Sequence, residues 1–303
     1  MKVLYAADGS ISAEAARELI VHVGDADRLD INVLTVLHRG IPSLEQLPFT
    51  LDPIEARRTD AKTIAEAAAE KLLAEGYKAT SSTKEGHPGE VIVQTARDEG
   101  HDAVIVGAGS RSWLGARLLG SVSTYVLHNS PVTTVLVHGS ENRRSDRAKL
   151  LFATDGSKDA ALALDALADF TDPERCDITV VSVAPNIGML VAPAGVPIPI
   201  LLPHVSDEAY GYFLERAEEI VASAARVLRE KGFDAGSNVL QGHPALAILD
   251  EEHRGGYSLV VIGSRGLGPI RRGLLGSVSD QVARHASACL IGRADSALET
   301  STR

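Results

Sequence analysis

The chain has 303 residues and a formal net charge of −10, with 45% hydrophobic and 23% charged residues. This acidic balance argues against a nucleic acid as the main partner, because binding a phosphate backbone needs a basic face. The two cysteines, Cys176 and Cys289, lack metal-type spacing, so neither a zinc site nor a disulfide framework is expected.

Short apolar runs alternate with amphipathic helical stretches along residues 1–139, here called half one. The predicted strands are 3–7, 31–37, 80–84, 103–106 and 133–137, and the predicted helices are 12–23, 53–75, 89–99 and 121–127. Half two, residues 149–294, repeats the pattern with strands at 150–154, 178–183, 237–240, 259–262 and 288–291 and helices at 159–168, 206–231, 245–253 and 277–284. This alternation predicts an α/β fold in which helices cover both faces of a parallel sheet.

The two halves also repeat in sequence. Residues 2–10 (KVLYAADGS) return as 149–157 (KLLFATDGS), and residues 118–123 (LLGSVS) return as 274–279. A repeat of about 150 residues fits a duplicated domain and leaves residues 140–148 as the linker.

The spacing between equivalent residues changes along the repeat. Asp8 corresponds to Asp155, 147 positions further on, whereas Gly120 corresponds to Gly276, 156 positions further on. Half two therefore has about nine extra residues, which we assign to the Pro-rich segment 184–204. This segment could be a lid over a site, an arm that packs on the other half, a dimer contact or a surface loop without a role.

Neither a secretory signal nor a membrane helix is expected. Asp8 interrupts the N-terminal apolar run, and the longest apolar stretch, Met189–Pro203, contains four prolines. The expected location is the cytoplasm, where both cysteines stay reduced and serve as small apolar residues.

Two loops in each half follow a predicted strand and therefore lie at the carboxyl edge of the sheet, where ligands bind in open parallel sheets. The first loop is Asp8-Gly9-Ser10, repeated as Asp155-Gly156-Ser157. Helix capping and a ligand contact are equally consistent with this motif.

The second loop of half two has the pattern G-x2-G-x9-G-[ST], formed by Gly263, Gly266 and Gly276-Ser277. Its glycines, and the N-terminus of the helix that Ser277 begins, predict a phosphate site made largely of backbone N–H groups. The loop lacks the lysine of a Walker loop and does not follow the first strand, as the dinucleotide motif does. The side chains that could add positive charge are Arg265, Arg271 and Arg272.

Half one departs from this pattern at one position. It keeps Gly107 and Gly120-Ser121, but Ser110 replaces the middle glycine, and Gly109 lies one position earlier. This half either binds with an altered phosphate geometry or has become structural. We expect it to bind, with tighter binding in half two.

A third shared motif is Gly86-His87-Pro88, which returns as Gly242-His243-Pro244. A histidine at the ligand edge could transfer protons. We favour a strand-to-helix turn with proline at the first helical position, since no nucleophile or carboxylate partner is evident nearby in sequence.

At these residues the chain resembles the tandem two-domain form of the universal stress protein family, in its ATP-binding branch. The resemblance implies two Rossmann-like domains of the adenine nucleotide α-hydrolase type, each with a five-stranded parallel sheet. It also implies ATP, with or without Mg²⁺, as the ligand, and Val36 and Val183 as contacts of the adenine. The implied nucleotide contacts as a whole are Asp8, Val36, Gly107, Gly120, Ser121 and Val122 in half one, and Asp155, Val183, Gly263, Gly266, Gly276, Ser277 and Val278 in half two.

Members of that family commonly dimerise by pairing their last strands. In a tandem chain this implies an internal pseudo-dimer, with a homodimer as a further option. The last strand of half two is short and is followed by Gly292 and Arg293, which weakens the prediction of edge pairing.

The sequence therefore favours an ATP-binding regulator or sensor of the stress response, which acts on an unknown protein partner by favouring one conformation. A slow Mg-dependent ATPase or nucleotidyl-transfer enzyme is the alternative, although no activated nucleophile, base or acidic metal pair is evident beside the loops. A scaffold with vestigial nucleotide sites is the second alternative. No catalytic or metal-binding residue is predicted.

Overall fold

The computed structural model describes residues 1–38, 53–109, 119–139, 147–185, 203–267 and 275–293. These residues fall into two compact units, one made mainly of half one and the other mainly of half two. Several predicted features lie outside the described residues, namely Ser110, Arg271, Arg272, most of the linker and most of the Pro-rich segment.

The described part of half one alternates strands and helices in the predicted order. Its strands are β1 (Lys2–Ala6), β2 (Asp30–Leu37), β3 (Lys78–Glu85), β4 (Ala103–Gly107) and β5 (Thr133–Val137), and its helices are α1 (Ile11–Val23), α2 (Pro53–Ala74), α3 (Pro88–Asp98) and α4 (Ser121–Asn129). Neighbouring strands are parallel, in the order β3-β2-β1-β4-β5. The order reverses between β1 and β4, which creates a crevice at their carboxyl ends.

Half two has the same order of elements. Its strands are β6 (Ala148–Ala153), β7 (Cys176–Ala184), β8 (Asp234–Gln241), β9 (Leu259–Gly263) and β10 (Ala288–Gly292), and its helices are α5 (Lys158–Phe170), α6 (Pro203–Glu230), α7 (Pro244–Gly255) and α8 (Ser277–His285). The parallel order β8-β7-β6-β9-β10 places the reversal between β6 and β9. The predicted fold class is confirmed in both halves.

Burial explains why these segments form strands. The strands β4 (AVIVG) and β9 (LVVIG) are apolar and almost wholly buried, as expected where helices cover both faces of a parallel sheet. At one end of each strand order, β3 (KATSSTKE) and β8 (DAGSNVLQ) are polar and largely exposed. The predicted third strand was too short, because the polar ends of β3 carry no apolar alternation.

Both cysteines lie in the sheet, although the predicted strand began only at residue 178. Cys176 begins β7 and Cys289 lies in β10, and both are buried free thiols. Burial raises the pKa of the Cys289 thiol, so it behaves as a small apolar side chain. Among the described helices, none combines the length and the hydropathy that crossing a membrane requires.

Candidate functional site

A cavity of about 390 Å³ lies at the carboxyl edge of half two, where the strand order reverses. The residues that follow β6, the end of β7, the first turns of α7 and α8, and the loop after β9 all contribute to its walls. Each half-two residue that the resemblance assigned to nucleotide binding lines this cavity, namely Asp155, Val183, Gly263, Gly266, Gly276, Ser277 and Val278.

The walls of the cavity differ in chemistry from one region to another. Val181, Val183, Ile248 and Ile262 supply apolar side chains from β7, α7 and β9. The glycine loop contributes Arg265, Gly266 and Leu267, and the start of α8 contributes Ser277, Val278 and Ser279. A ligand with an apolar ring and an anionic group would therefore meet a suitable surface at each end.

Asp155 joins the first turn to the glycine loop. Its Oδ1 accepts the Ser157 N–H at 3.0 Å, and its Oδ2 accepts the Leu267 N–H at 2.9 Å. Gly156 takes the left-handed conformation, with φ of +77°, that lets β6 turn directly into α5. The capping role belongs to Ser157, whose Oγ accepts the Ala160 N–H at 3.3 Å. Asp155 thus anchors the loop and lines the cavity at once.

Two glycines of the loop make room for neighbouring protein atoms. A Cβ on Gly263 would lie 2.6 Å from the Ala160 nitrogen, so the end of β9 packs directly on α5. A Cβ on Gly266 would lie 2.5 Å from Asp155 Oδ2. Both positions therefore have a packing requirement besides lining the cavity, and a contact of these glycines with an anion stays a prediction.

The third glycine precedes the helix terminus that was predicted to bind phosphate. The Gly276 N–H donates to Ser264 O at 2.8 Å, so this amide is already used. The first helical bond of α8 runs from Asp280 N–H to Gly276 O. The amides of Ser277, Val278 and Ser279 therefore lack an acceptor within the helix, and Gly276 has no side chain to cap them. These residues line the cavity, and unpaired amides at a helix N-terminus favour negative charge.

Sequence reasoning missed a second carboxylate beside the loop. Asp159, in the first turn of α5, accepts hydrogen bonds from Ser264 Oγ and from the guanidinium of Arg265. The internal repeat could have indicated this pair. Half one has Ser12 in place of Asp159 and Gly109 in place of Arg265, so both residues of the pair are replaced together.

Half one keeps the turn but holds it differently. Asp8 Oδ1 accepts the Ser10 N–H at 2.9 Å, and Gly9 has a φ of +76°, as at the equivalent turn of half two. A Cβ on Gly107 would lie 2.6 Å from Ser12 C, which repeats the close approach of strand and helix. Gly109 takes a left-handed φ of +71°, whereas Arg265 has a negative φ, so the two loops diverge one residue before Ser110.

The other residues predicted for half one lie at the same edge. Val36 is near the end of β2, and Gly120 precedes α4, which begins with Ser121 and Val122. The Thr124 N–H donates to Gly120 O, so the amides that begin α4 also lack an acceptor within the helix.

The two histidine motifs are strand-to-helix turns, as predicted. His87 and His243 precede α3 and α7, which begin with Pro88 and Pro244, and neither histidine caps its helix with a side-chain bond. In half one the His87 ring also lies 6.0 Å from the His38 ring and 6.1 Å from the Tyr125 ring, between centroids. Sequence reasoning missed this row of rings, which depends on contacts between separate elements.

No cluster of three or more His, Cys, Asp or Glu side chains suited to a metal ion occurs among the described residues. The hydroxyl of Ser279 is buried and donates to Gly263 O at 2.7 Å. Amides at the start of α8 and the guanidinium of Arg265 are hydrogen-bond donors among the residues that line the cavity.

Comparison with known proteins adds to this geometry. The profile of the universal stress protein family matches residues 1–138 and 147–290. A universal stress protein of Mycolicibacterium smegmatis is 26% identical over 293 residues, 94% of each chain. The universal stress protein YxiE of Bacillus subtilis is 31% identical over 137 residues, which are 45% of this chain and 91% of that protein. A crystal structure of a universal stress protein from Archaeoglobus fulgidus has a TM-score of 0.67 and 22% identity, and covers 96% of this chain and 98% of that one.

Proposed function

The chain belongs to the universal stress protein family, and we propose that it acts in the stress response as a regulatory protein that binds ATP in half two. The carrying observation is the cavity of about 390 Å³ that joins an apolar wall to an uncapped helix terminus. Its volume falls within the usual range of ligand sites, about 300–1,000 Å³. The adenine would occupy the apolar end beside Val183, and the phosphates would occupy the end formed by Ser277 and the glycine loop.

The donors present fit a phosphate group. The amides at the start of α8 have no acceptor within the helix, and the helix dipole favours negative charge at that end. Since the described residues hold no carboxylate cluster for a metal, Mg²⁺ would enter with the nucleotide phosphates.

A binding role accounts for the polar groups of the site better than a catalytic one. Both Asp155 oxygens accept backbone N–H groups, so this carboxylate has a structural task. Ser279 is likewise held by a backbone carbonyl. Bound ATP would regulate by favouring one conformation, which requires different affinities for two states.

Half one is proposed as the weaker site. Its first turn and the start of α4 match half two, but its loop diverges at Gly109. The cytoplasmic location, the internal pseudo-dimer and the protein partner stay predictions from the sequence.

The test is to purify the untagged chain without added nucleotide, denature it, and identify and count the released ligand by mass spectrometry. We expect ATP, with at least one per chain. ADP or AMP instead of ATP would favour the slow ATPase. If nothing is released, calorimetric titration with ATP and Mg²⁺ follows, and a lack of binding there would favour a scaffold.

Matched glycine variants locate the site. Gly276→Val places a branched side chain at the phosphate end of half two, and Gly120→Val does the same in half one. We expect Gly276→Val to remove the tighter site and Gly120→Val to leave it. Loss of all nucleotide in Gly120→Val alone would contradict the assignment to half two.

A further inference from the structure

Arg265 is the cationic side chain in the described part of the glycine loop, and Asp159 holds its guanidinium. Arg265 Nε lies 3.0 Å from Asp159 Oδ2, and Nη2 lies 3.5 Å from Oδ1. Ser264 Oγ donates to the same carboxylate at 2.5 Å. The side chains of Asp159 and Arg265 are 14% and 32% exposed, so solvent and salt screen this pair less than an open surface pair.

Asp159 uses only part of the guanidinium. Arginine has five N–H donors, and no described residue accepts a hydrogen bond from Nη1 of Arg265. Arg265 also lines the cavity, as do the residues that begin α8. Donors of the guanidinium therefore stay available to an anion bound beside the loop.

We propose that Asp159 is a positioning residue, which holds Arg265 at the phosphate end of the cavity so that half two selects phosphorylated ligands. This inference rests on the proposed function. An arginine side chain without a partner loses rotamer freedom when it binds an anion, which weakens binding. Because Asp159 already holds the guanidinium of Arg265, much of this entropy has been lost before the ligand binds. Arg265 thus supplies charge that a lysine supplies in a Walker loop.

Half one offers a natural comparison, because it lacks the whole arrangement. Ser12, Ala108 and Gly109 stand where half two has Asp159, Ser264 and Arg265. Ser12 Oγ lies 3.1 Å from Ser10 Oγ instead, within α1's own N-terminal turn. The carboxylate and both of its donors therefore occur together in one copy and are all absent from the other, as expected of groups that act as a unit.

Asp159 has two opposite effects on a bound phosphate. Its negative charge repels the phosphate, whereas its orientation of Arg265 attracts it. Asp159→Asn separates these effects, since it removes the charge and weakens the hold on the guanidinium at nearly constant shape. If the charge alone mattered, ATP would bind more tightly to the variant, whereas loss of orientation predicts weaker binding.

The experiment is calorimetric titration of the full chain with ATP, adenosine and inorganic tripolyphosphate. The variants are Asp159→Asn, Arg265→Ala and the double variant, with Ser12→Ala as the matched control in half one. We expect Arg265→Ala to weaken ATP and tripolyphosphate binding about tenfold or more, as for a lost charged hydrogen bond, and to leave adenosine unchanged. Asp159→Asn should weaken the same two ligands about threefold, and the double variant should be no weaker than Arg265→Ala.

The other possible results of these titrations would overturn the proposal or the function on which it rests. Unchanged or tighter ATP binding in Asp159→Asn overturns the proposal. Equal losses of affinity for ATP and adenosine also overturn it, because they would show that Asp159 and Arg265 only stabilise the fold. Thermal unfolding of the variants would detect such a loss of stability independently. A wild-type chain that binds neither ATP nor adenosine overturns the proposed function. If such a chain still binds tripolyphosphate, and Asp159→Asn weakens that binding, the Asp159–Arg265 pair is upheld as part of an anion site. If the chain does not bind tripolyphosphate either, both the proposed function and this proposal are overturned.

Discussion

The two halves keep the same turn at the edge of the sheet but secure the glycine loop differently. Asp8 and Asp155 both accept the N–H of the serine two residues on. Only in half two do the described residues link that turn to the loop through Asp155, Ser157 and Asp159. The turn is shared because β1 and β6 must each enter a helix, whereas the contacts that hold the loop differ between the halves. Variants at these contacts therefore test whether ligand binding depends on them.

The largest expected effect tests the contact that the two halves share. Gly263→Ala and Gly107→Ala each place a Cβ 2.6 Å from backbone atoms of the neighbouring helix. Backbone atoms cannot rotate away, so each variant should lose about 1–3 kcal/mol of unfolding free energy, as for an overpacked core. Denaturant unfolding would measure the two losses.

Gly236→Ala is the control, because its added Cβ would meet nothing within 4 Å. Its free energy of unfolding should change by less than about 0.5 kcal/mol. A large loss in one half but not the other would show that the close approach of strand and helix is not a shared requirement.

The next effect concerns the loop alone. Gly266→Ser introduces into half two the residue that half one has at position 110, and its Cβ would lie 2.5 Å from Asp155 Oδ2. The carboxylate must then move and lose the Leu267 N–H, so ATP affinity should fall about tenfold or more. Titration measures this loss, and the unfolding free energy should fall by no more than about 1 kcal/mol, the net value of one hydrogen bond.

The reverse change, Ser110→Gly, is the partner experiment in half one, where we expect stronger ATP binding. If Gly266→Ser binds ATP as the wild type does, the serine is compatible with a working site and does not explain the proposed weakness of half one.

The sequence predicted what depends on neighbours along the chain. Alternating apolar runs gave the parallel sheets, and the two loop motifs indicated the sheet edge that carries the cavity. It could not reveal that Gly266 makes room for Asp155, or that Asp159 holds Arg265, because those partners are more than 100 residues apart. It also shortened β3, whose polar residues suit an exposed edge but carry no periodic signal.

A pH effect distinguishes the cores of the two halves. His101 is 3% exposed, and both of its ring nitrogens are buried. Burial, reinforced by Lys2, lowers the pKa of His101, with Glu99, the backbone of Thr95 and Asp102 acting in the opposite direction. Half two has Tyr257 at this position, and Gly255 makes room for its ring where half one has Glu99.

Because the folded-state pKa of His101 lies below its unfolded value of about 6.5, the unfolded chain binds the proton more readily. The contribution of His101 to stability is therefore present above that pH and is lost as the pH falls below it. Between about pH 7.5 and about pH 5.5 the wild type should lose more unfolding free energy than His101→Leu, measured by urea titration. The same loss in both proteins would assign the pH dependence to other groups.

The smallest effect lies between α1 and α2 of half one, where Glu14 meets Arg17 at 2.8 Å and Lys71 at 3.2 Å. Half two has Ala161, Leu164 and Val227 at these positions, and they line a cleft of about 460 Å³ between α5 and α6. Half one thus joins by an ion pair two helices between which half two has a cleft of mixed polar and apolar lining.

Glu14→Gln should lower the unfolding free energy by at most about 1 kcal/mol at neutral pH, because the Glu14 side chain is 40% exposed. The hydrogen bond from Arg17, followed by that from Lys71, lowers the pKa of Glu14 against the opposing effect of burial. Its contribution is therefore present above the unfolded value of about 4.3 and is lost as the pH falls through the folded value. Urea titrations at low and high salt measure it, with Glu66→Gln in the exposed Lys62–Glu66 pair as the control. A loss no larger than that of the control would show that the contacts of Glu14 with Arg17 and Lys71 stabilise half one no more than an exposed pair within one helix.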